Sequence, residues 1–90
     1  MIIPDLNLLL YAHNSDASFH LKAKEWWEEC LNGEELVGLP QVVVFGFLRV
    51  ATNLRAYEKP MTPTEAANQV RSWLSVPVVE LVETDSRPIQ

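Results

Sequence analysis

Asp5 and Asn7 are the residues best suited by type and spacing to do chemistry, a carboxylate and an amide two positions apart in Ile2-Ile3-Pro4-Asp5-Leu6-Asn7. Across a tight turn the two can face one small space, the carboxylate as a hard oxygen ligand and the amide as an orienter of water or ligand. Asp is equally a favoured helix N-cap, so the position alone leaves both readings open. Arg49 and Arg55 are the candidate phosphate contacts. Arg49 is the one charge in the apolar run from Val42 to Ala51; such an arginine is paired, reaches solvent through its stem, or serves a site. Arg55 shares the loop from Asn53 to Met61 with Tyr57 and Lys59. Two cations and an aromatic suit contact with a phosphate and a base, although a solvated loop has the same composition. His13 and His20 read as surface residues rather than a metal pair.

These side chains must be placed by a small set of elements. Ile2 and Ile3 suit a short buried strand, ended at Asp5, and Leu8 to Ala12 continue as a helix. An acid that ends one strand and opens the next helix stands at the carboxyl edge of a parallel sheet, where ligands collect. After a polar connection in which Asp16 or Ser18 is placed to cap, Phe19, Ala23, Trp26, Trp27, Cys30 and Leu31 form a helical stripe that is better read as core than as a ligand box, closed by Gly33. Leu36 to Leu39 is a second strand ended by Pro40. The long apolar run beyond it favours a buried helix from Gln41 to about Asn53 in spite of its β-branched residues. Thr62-Pro63-Thr64-Glu65 has the form of a capping box with proline at the first helical position. That helix buries Ala66, Ala67, Val70, Trp73 and Leu74 and gives way near Pro77 to a third strand, Val78 to Glu83. The order strand, helix, helix, strand, helix, helix, strand predicts an α/β fold with a short parallel sheet flanked by helices.

Ninety residues allow one domain, and 48% hydrophobic content with three tryptophans excludes a disordered segment. No apolar run approaches a membrane span, and the chain reads as soluble and cytoplasmic. The single Cys30 makes neither an internal disulfide nor a multi-thiolate site and reads as a buried structural thiol. Twelve acids against seven lysines and arginines give a net charge of −5, so any contact with a polyanion must come from a local patch.

Taken together, I-I-P-D-L-N-L-L-L-Y-A, His20 before an aromatic helix, G-L-P before F-G-F-L-R-V-A-T-N, and the T-P-T-E-A helix resemble a PIN-domain protein, and more narrowly the VapC toxins of bacterial toxin-antitoxin pairs. The resemblance runs from Met1 to about Glu83, with 84–90 as a polar tail. It implies a metal-dependent endoribonuclease in which carboxylates hold Mg²⁺ or Mn²⁺ and activate water against an RNA phosphodiester, with a cognate antitoxin and a homodimer as partners. Asp5 carries over as the first acid and metal ligand, Asn7 as its polar companion, and both as the catalytic residues. Two departures accompany it. Gly46 stands three residues before Arg49, where many relatives place Glu, and the family's remaining acids lie beyond the third strand, so the PIN-like sheet is truncated before its last helices and strands. Asp85 is too close to the third strand to substitute, and Glu80 and Glu83 are expected to face solvent or a neighbouring chain.

Two other classes compete with a ribonuclease. A truncated, non-catalytic PIN module would bind an antitoxin-like partner or a second copy of itself, a reading the missing acids favour. A phosphotransfer domain with Asp5 as acceptor is disfavoured because Asn7 stands where such sites use a second acid.

Overall fold

Pro4 decides what becomes of the first strand. In the computed structural model, which describes residues 1–83, the expected strand at Ile2 and Ile3 is reduced to a single parallel bridge from Ile2 to Val37. The Ile2 N–H donates to the Leu36 carbonyl, and the Ile2 carbonyl accepts from the Gly38 N–H, each at 2.8 Å. The next donor along that ladder belongs to residue 4, and a proline has none to offer. The expected polar tail 84–90, with Asp85, lies outside the described residues.

Beyond the bridge the chain follows the expected alternation: α1 (Leu6–Ala12), α2 (His20–Asn32), β1 (Val37–Pro40), α3 (Gln41–Ala51), α4 (Pro63–Leu74) and β2 (Val79–Val82). β1 and β2 pair in parallel with Val37 opposite Val79 and Pro40 opposite Val82. The Ile2 bridge lies on the other side of β1, so β1 is central and buried along its whole length. Pro40 is its last residue rather than a stop beyond it, and its extended backbone also serves as the N-cap of α3.

α2 starts later than its apolar stripe suggests. Phe19 precedes the helix and is 60% exposed, and neither Asp16 nor Ser18 caps α2, which lacks a side-chain cap. The residues before it are already committed to turns: Asn14 Oδ1 accepts from the Asp16 N–H at 3.1 Å, and the Asn14 carbonyl accepts from the Ala17 N–H at 3.0 Å. The stripe is otherwise core, with Ala23, Trp27 and Cys30 buried and Trp26 and Leu31 half-buried. Gly33 ends the helix with φ −88°, so no left-handed turn is involved. A Cβ there would come within 3.1 Å of the Glu29 carbonyl oxygen, and glycine permits that close approach.

The β-branched run Val42-Val43-Val44 is helical because burial outweighs intrinsic propensity. Val44, Phe47 and Ala51 face the core, while Val42, Phe45 and Arg49 form the exposed side. α4 opens with both bonds of the capping box: Thr62 Oγ1 accepts from the Glu65 N–H at 3.1 Å, and Glu65 Oε1 accepts from the Thr62 N–H at 2.9 Å. Thr62→Ala leaves the Glu65 N–H to water and is expected to cost about 1 kcal/mol, read as a lower urea midpoint with an unchanged slope. α4 buries Ala66, Val70 and Trp73, whereas Leu74 is exposed.

All four helices meet at Trp73. Its ring lies 4.8 Å from Phe47 of α3, 5.6 Å from Trp27 of α2 and 5.4 Å from His13 at the end of α1, measured between centroids. Edge-to-face and tilted contacts of this kind suit the ring quadrupoles. Among the described residues no helix is long and apolar enough to cross a membrane.

Candidate functional site

Parallel strands bring their carboxyl ends to one edge of a sheet, and here that edge carries Asp5 after the Ile2 bridge, Gln41 after β1 and Glu83 after β2. Asp5 has an extended backbone (φ −79°, ψ 146°) and occupies the N-cap position of α1, with its carbonyl accepting from Leu8 at 3.1 Å and Leu9 at 3.3 Å. Its side chain makes no capping bond and is exposed. The carboxylate is therefore not consumed by the structural role that its position allows. Asn7, in the first turn of α1, is also exposed.

The surroundings of Asp5 supply few other donors. Leu6 turns against α3, and a Cβ on Gly46 would stand 2.8 Å from Leu6 Cδ2. An acid at position 46 would therefore meet this methyl group. Arg49 lies one turn beyond Gly46 and is exposed, whereas Arg55 belongs to the loop past the end of α3, where its N–H donates to Asn53 Oδ1 at 2.8 Å. Among the described residues no three His, Cys, Asp or Glu side chains are grouped to hold a metal ion. A hard divalent cation needs several oxygen donors, so Asp5 fits one corner of such a site and the chain's described residues do not complete it.

A second concavity lies at the other end of α1. Leu10 and His13 of α1 and its cap, Phe47 and Ala51 of α3, residues 14–16 and residues 56–61 enclose a cleft of about 610 Å³. His13 is not the surface residue expected. Its ring packs 5.8 Å from Phe47 and 5.4 Å from Trp73, and Nε2 is buried without a hydrogen-bond partner. Burial, assisted by His20 and Lys24, holds its pKa below the ordinary value of 6.5. Tyr57 is shifted the other way, its phenol pushed up by burial and by Tyr11. His20 is tied down differently: its Nδ1 donates to the Tyr11 carbonyl at 2.9 Å, joining the start of α2 to α1.

The lowered His13 pKa makes stability depend on pH with a definite sign. As pH falls through about 6.5 the unfolded chain binds a proton that the folded chain resists, so this contribution is full above that pH and declines toward the folded pKa. The urea midpoint is expected to fall between about pH 7.5 and about pH 5.5, with a slope from this one group of at most ~1.4 kcal/mol per pH unit. His13→Gln is expected to remove that part of the dependence; an unchanged profile would contradict the assignment.

Ribonuclease VapC33 of Mycobacterium tuberculosis is 44% identical over 87 residues, which span 97% of this chain and 61% of the relative. The chain is a partial, amino-terminal homologue of the VapC ribonucleases. Ribonuclease VapC37 of the same organism is 34% identical over 87 residues, 97% of this chain and 60% of that protein. Ribonuclease VapC43 is 38% identical over 77 residues, 86% of this chain and 52% of that protein. The chain thus spans about six-tenths or less of the length of these curated relatives. No family model matches it.

For a partial VapC homologue, a small α/β fold with two parallel strands and four helices is consistent with part of a PIN fold. Of the residues singled out from the sequence, Asp5 and Asn7 share the turn into α1, Arg49 is exposed on α3 one turn beyond Gly46, and Arg55 stands apart with the cleft loop. The residue that sequence reasoning missed is His13. Its signal was present, since it follows Leu9 and Leu10 by four and three positions and so continues their buried face.

Proposed function

We propose that residues 1–83 are the amino-terminal part of the PIN-like domain of a VapC-type ribonuclease, acting on RNA in the cytoplasm with Mg²⁺ or Mn²⁺, and that Asp5 is one carboxylate of its cation site. The observation that carries this reading is the Asp5 side chain, exposed at the carboxyl edge of the sheet and free of any capping bond. The identity of 44% to Ribonuclease VapC33 across 97% of the chain supports it. Asn7 in the same turn is the companion that orients water or substrate, and Arg49 and Arg55 are the phosphate contacts. Because the donor set is incomplete, no hydrolytic step is assigned to this chain alone.

A second reading is a binding module that engages an antitoxin or a second copy of itself. It is favoured by Val42 and Phe45, 63% and 64% exposed on the outer side of α3. The two readings separate in one experiment. Residues 1–83 joined to the carboxy-terminal portion of Ribonuclease VapC33 are expected to cleave RNA with Mn²⁺ and not with EDTA, while the 90-residue chain alone is expected not to cleave. A folded chimera without metal-dependent cleavage would leave the binding module as the function. Cleavage by the chain alone would mean that a second copy completes the donor set.

A further inference from the structure

The cleft between the carboxy ends of α1 and α3 has the build of a site, and nothing in the Asp5 edge uses it. Its floor is apolar, from Leu10 and Ala51 over the fully buried Phe47, and its rim is polar. That combination matches an unstacked nucleobase, whose faces are apolar and whose edges hydrogen-bond; single-stranded RNA is generally read by stacking such bases on aromatic side chains. Tyr57 on the rim supplies the aromatic, and Lys59 is the cation in the lining. Asp16 and Glu58 also line the cleft, and ionised carboxylates only accept hydrogen bonds. They repel phosphate and favour a base edge that carries an amino group. His13 stands in the wall, its ring packed against Phe47 and Trp73.

We propose that this cleft binds one unpaired base of the RNA, adenine, cytosine or guanine in preference to uracil, with Tyr57 against the base and Lys59 beside its phosphate. The proposal rests on the ribonuclease reading for the choice of RNA as the ligand. It divides the protein between two places: the Asp5 edge, where the backbone is cut, and a recognition cleft at the far end of α1. His13 is eight helical steps beyond Asp5, a rise of about 12 Å, so the base held in the cleft is not the one next to the scissile bond.

The test is titration of the 90-residue chain with AMP, CMP, GMP and UMP, followed by NMR shifts of the His13 and Tyr57 signals. The three amino-bearing nucleotides are expected to shift both residues and to bind about fivefold or more tighter than UMP. Tyr57→Ala, on an exposed loop, is expected to weaken AMP about tenfold. Lys59→Ala is expected to weaken AMP while leaving adenosine unchanged. Equal binding of UMP, insensitivity to Tyr57→Ala, or no shift with any nucleotide would each overturn the proposal; in the last case a cleft that instead takes up an antitoxin peptide would be the replacement. The ribonuclease reading fails separately: nucleotide binding in the cleft together with a folded VapC33 chimera that shows no metal-dependent cleavage would sink that reading and leave the cleft standing as a nucleotide site.

Discussion

Trp73→Ala is expected to destabilise the fold by about 3–5 kcal/mol, since Trp73 is the largest fully buried side chain among the described residues. The ring is 2% exposed and touches Phe47, Trp27 and His13, so truncation opens a cavity at the one point where α1, α2, α3 and α4 converge. Its Nε1 is buried without a partner, so no hydrogen bond is lost and the whole cost comes from packing. A domain of 90 residues has on the order of 5–13 kcal/mol in all, and the variant is expected to lose a large fraction of it. The urea midpoint is the measurement. Trp73→Phe keeps an aromatic face toward Phe47 and should fall between the two. A midpoint for Trp73→Ala within error of the parent would mean that the helices are held by something other than this cluster.

Asp5→Ala, introduced into the VapC33 chimera, is expected to reduce RNA cleavage by at least about a hundredfold, since losing one of few carboxylate donors weakens both the cation and the position it must take. The same substitution should scarcely change stability. The side chain is exposed and makes no capping bond, so its removal leaves no backbone donor newly unpaired. That contrast is what makes the experiment informative: thermal or urea unfolding fixes the amount of folded protein, and the cleavage rate then reports on chemistry alone. Asp5→Asn retains size and hydrogen bonding but lacks the charge, and is expected to be nearly as inactive. Cleavage undiminished in either variant would remove Asp5 from the site.

The capping box of α4 and the buried stripes of α2 and α4 were legible because each is a local pattern with a local cause. Thr62 and Glu65 are three residues apart in the sequence and exchange two hydrogen bonds in the fold. The first strand was misread for a reason equally local but subtler: Ile2 and Ile3 have strand propensity, yet the ladder needs a donor from residue 4, and Pro4 has none. Phe19 was placed on the buried stripe by periodicity, which takes no account of turns already formed by Asn14 and Ala17. At the candidate site, the type and turn of Asp5 were readable, but whether its carboxylate was spent on a cap depends on a hydrogen bond that a sequence does not display. The cleft was out of reach altogether, since it joins the end of α1, the end of α3 and a loop more than forty residues from the first of them.

The contact between Leu6 and Gly46 has a consequence for how this chain can change. The obstacle to a side chain at position 46 is the mobile end of a leucine rather than backbone, with Leu6 Cδ2 2.8 Å from where a Cβ would stand. The two positions therefore form a coupled pair: a larger residue at 46 is accommodated only as Leu6 turns away or becomes smaller. An acidic residue there costs little where Leu6 can rotate aside and more where the packing around Leu6 holds it in place. The fold thus couples a helix start to a glycine on another helix, at the residue next to Asp5.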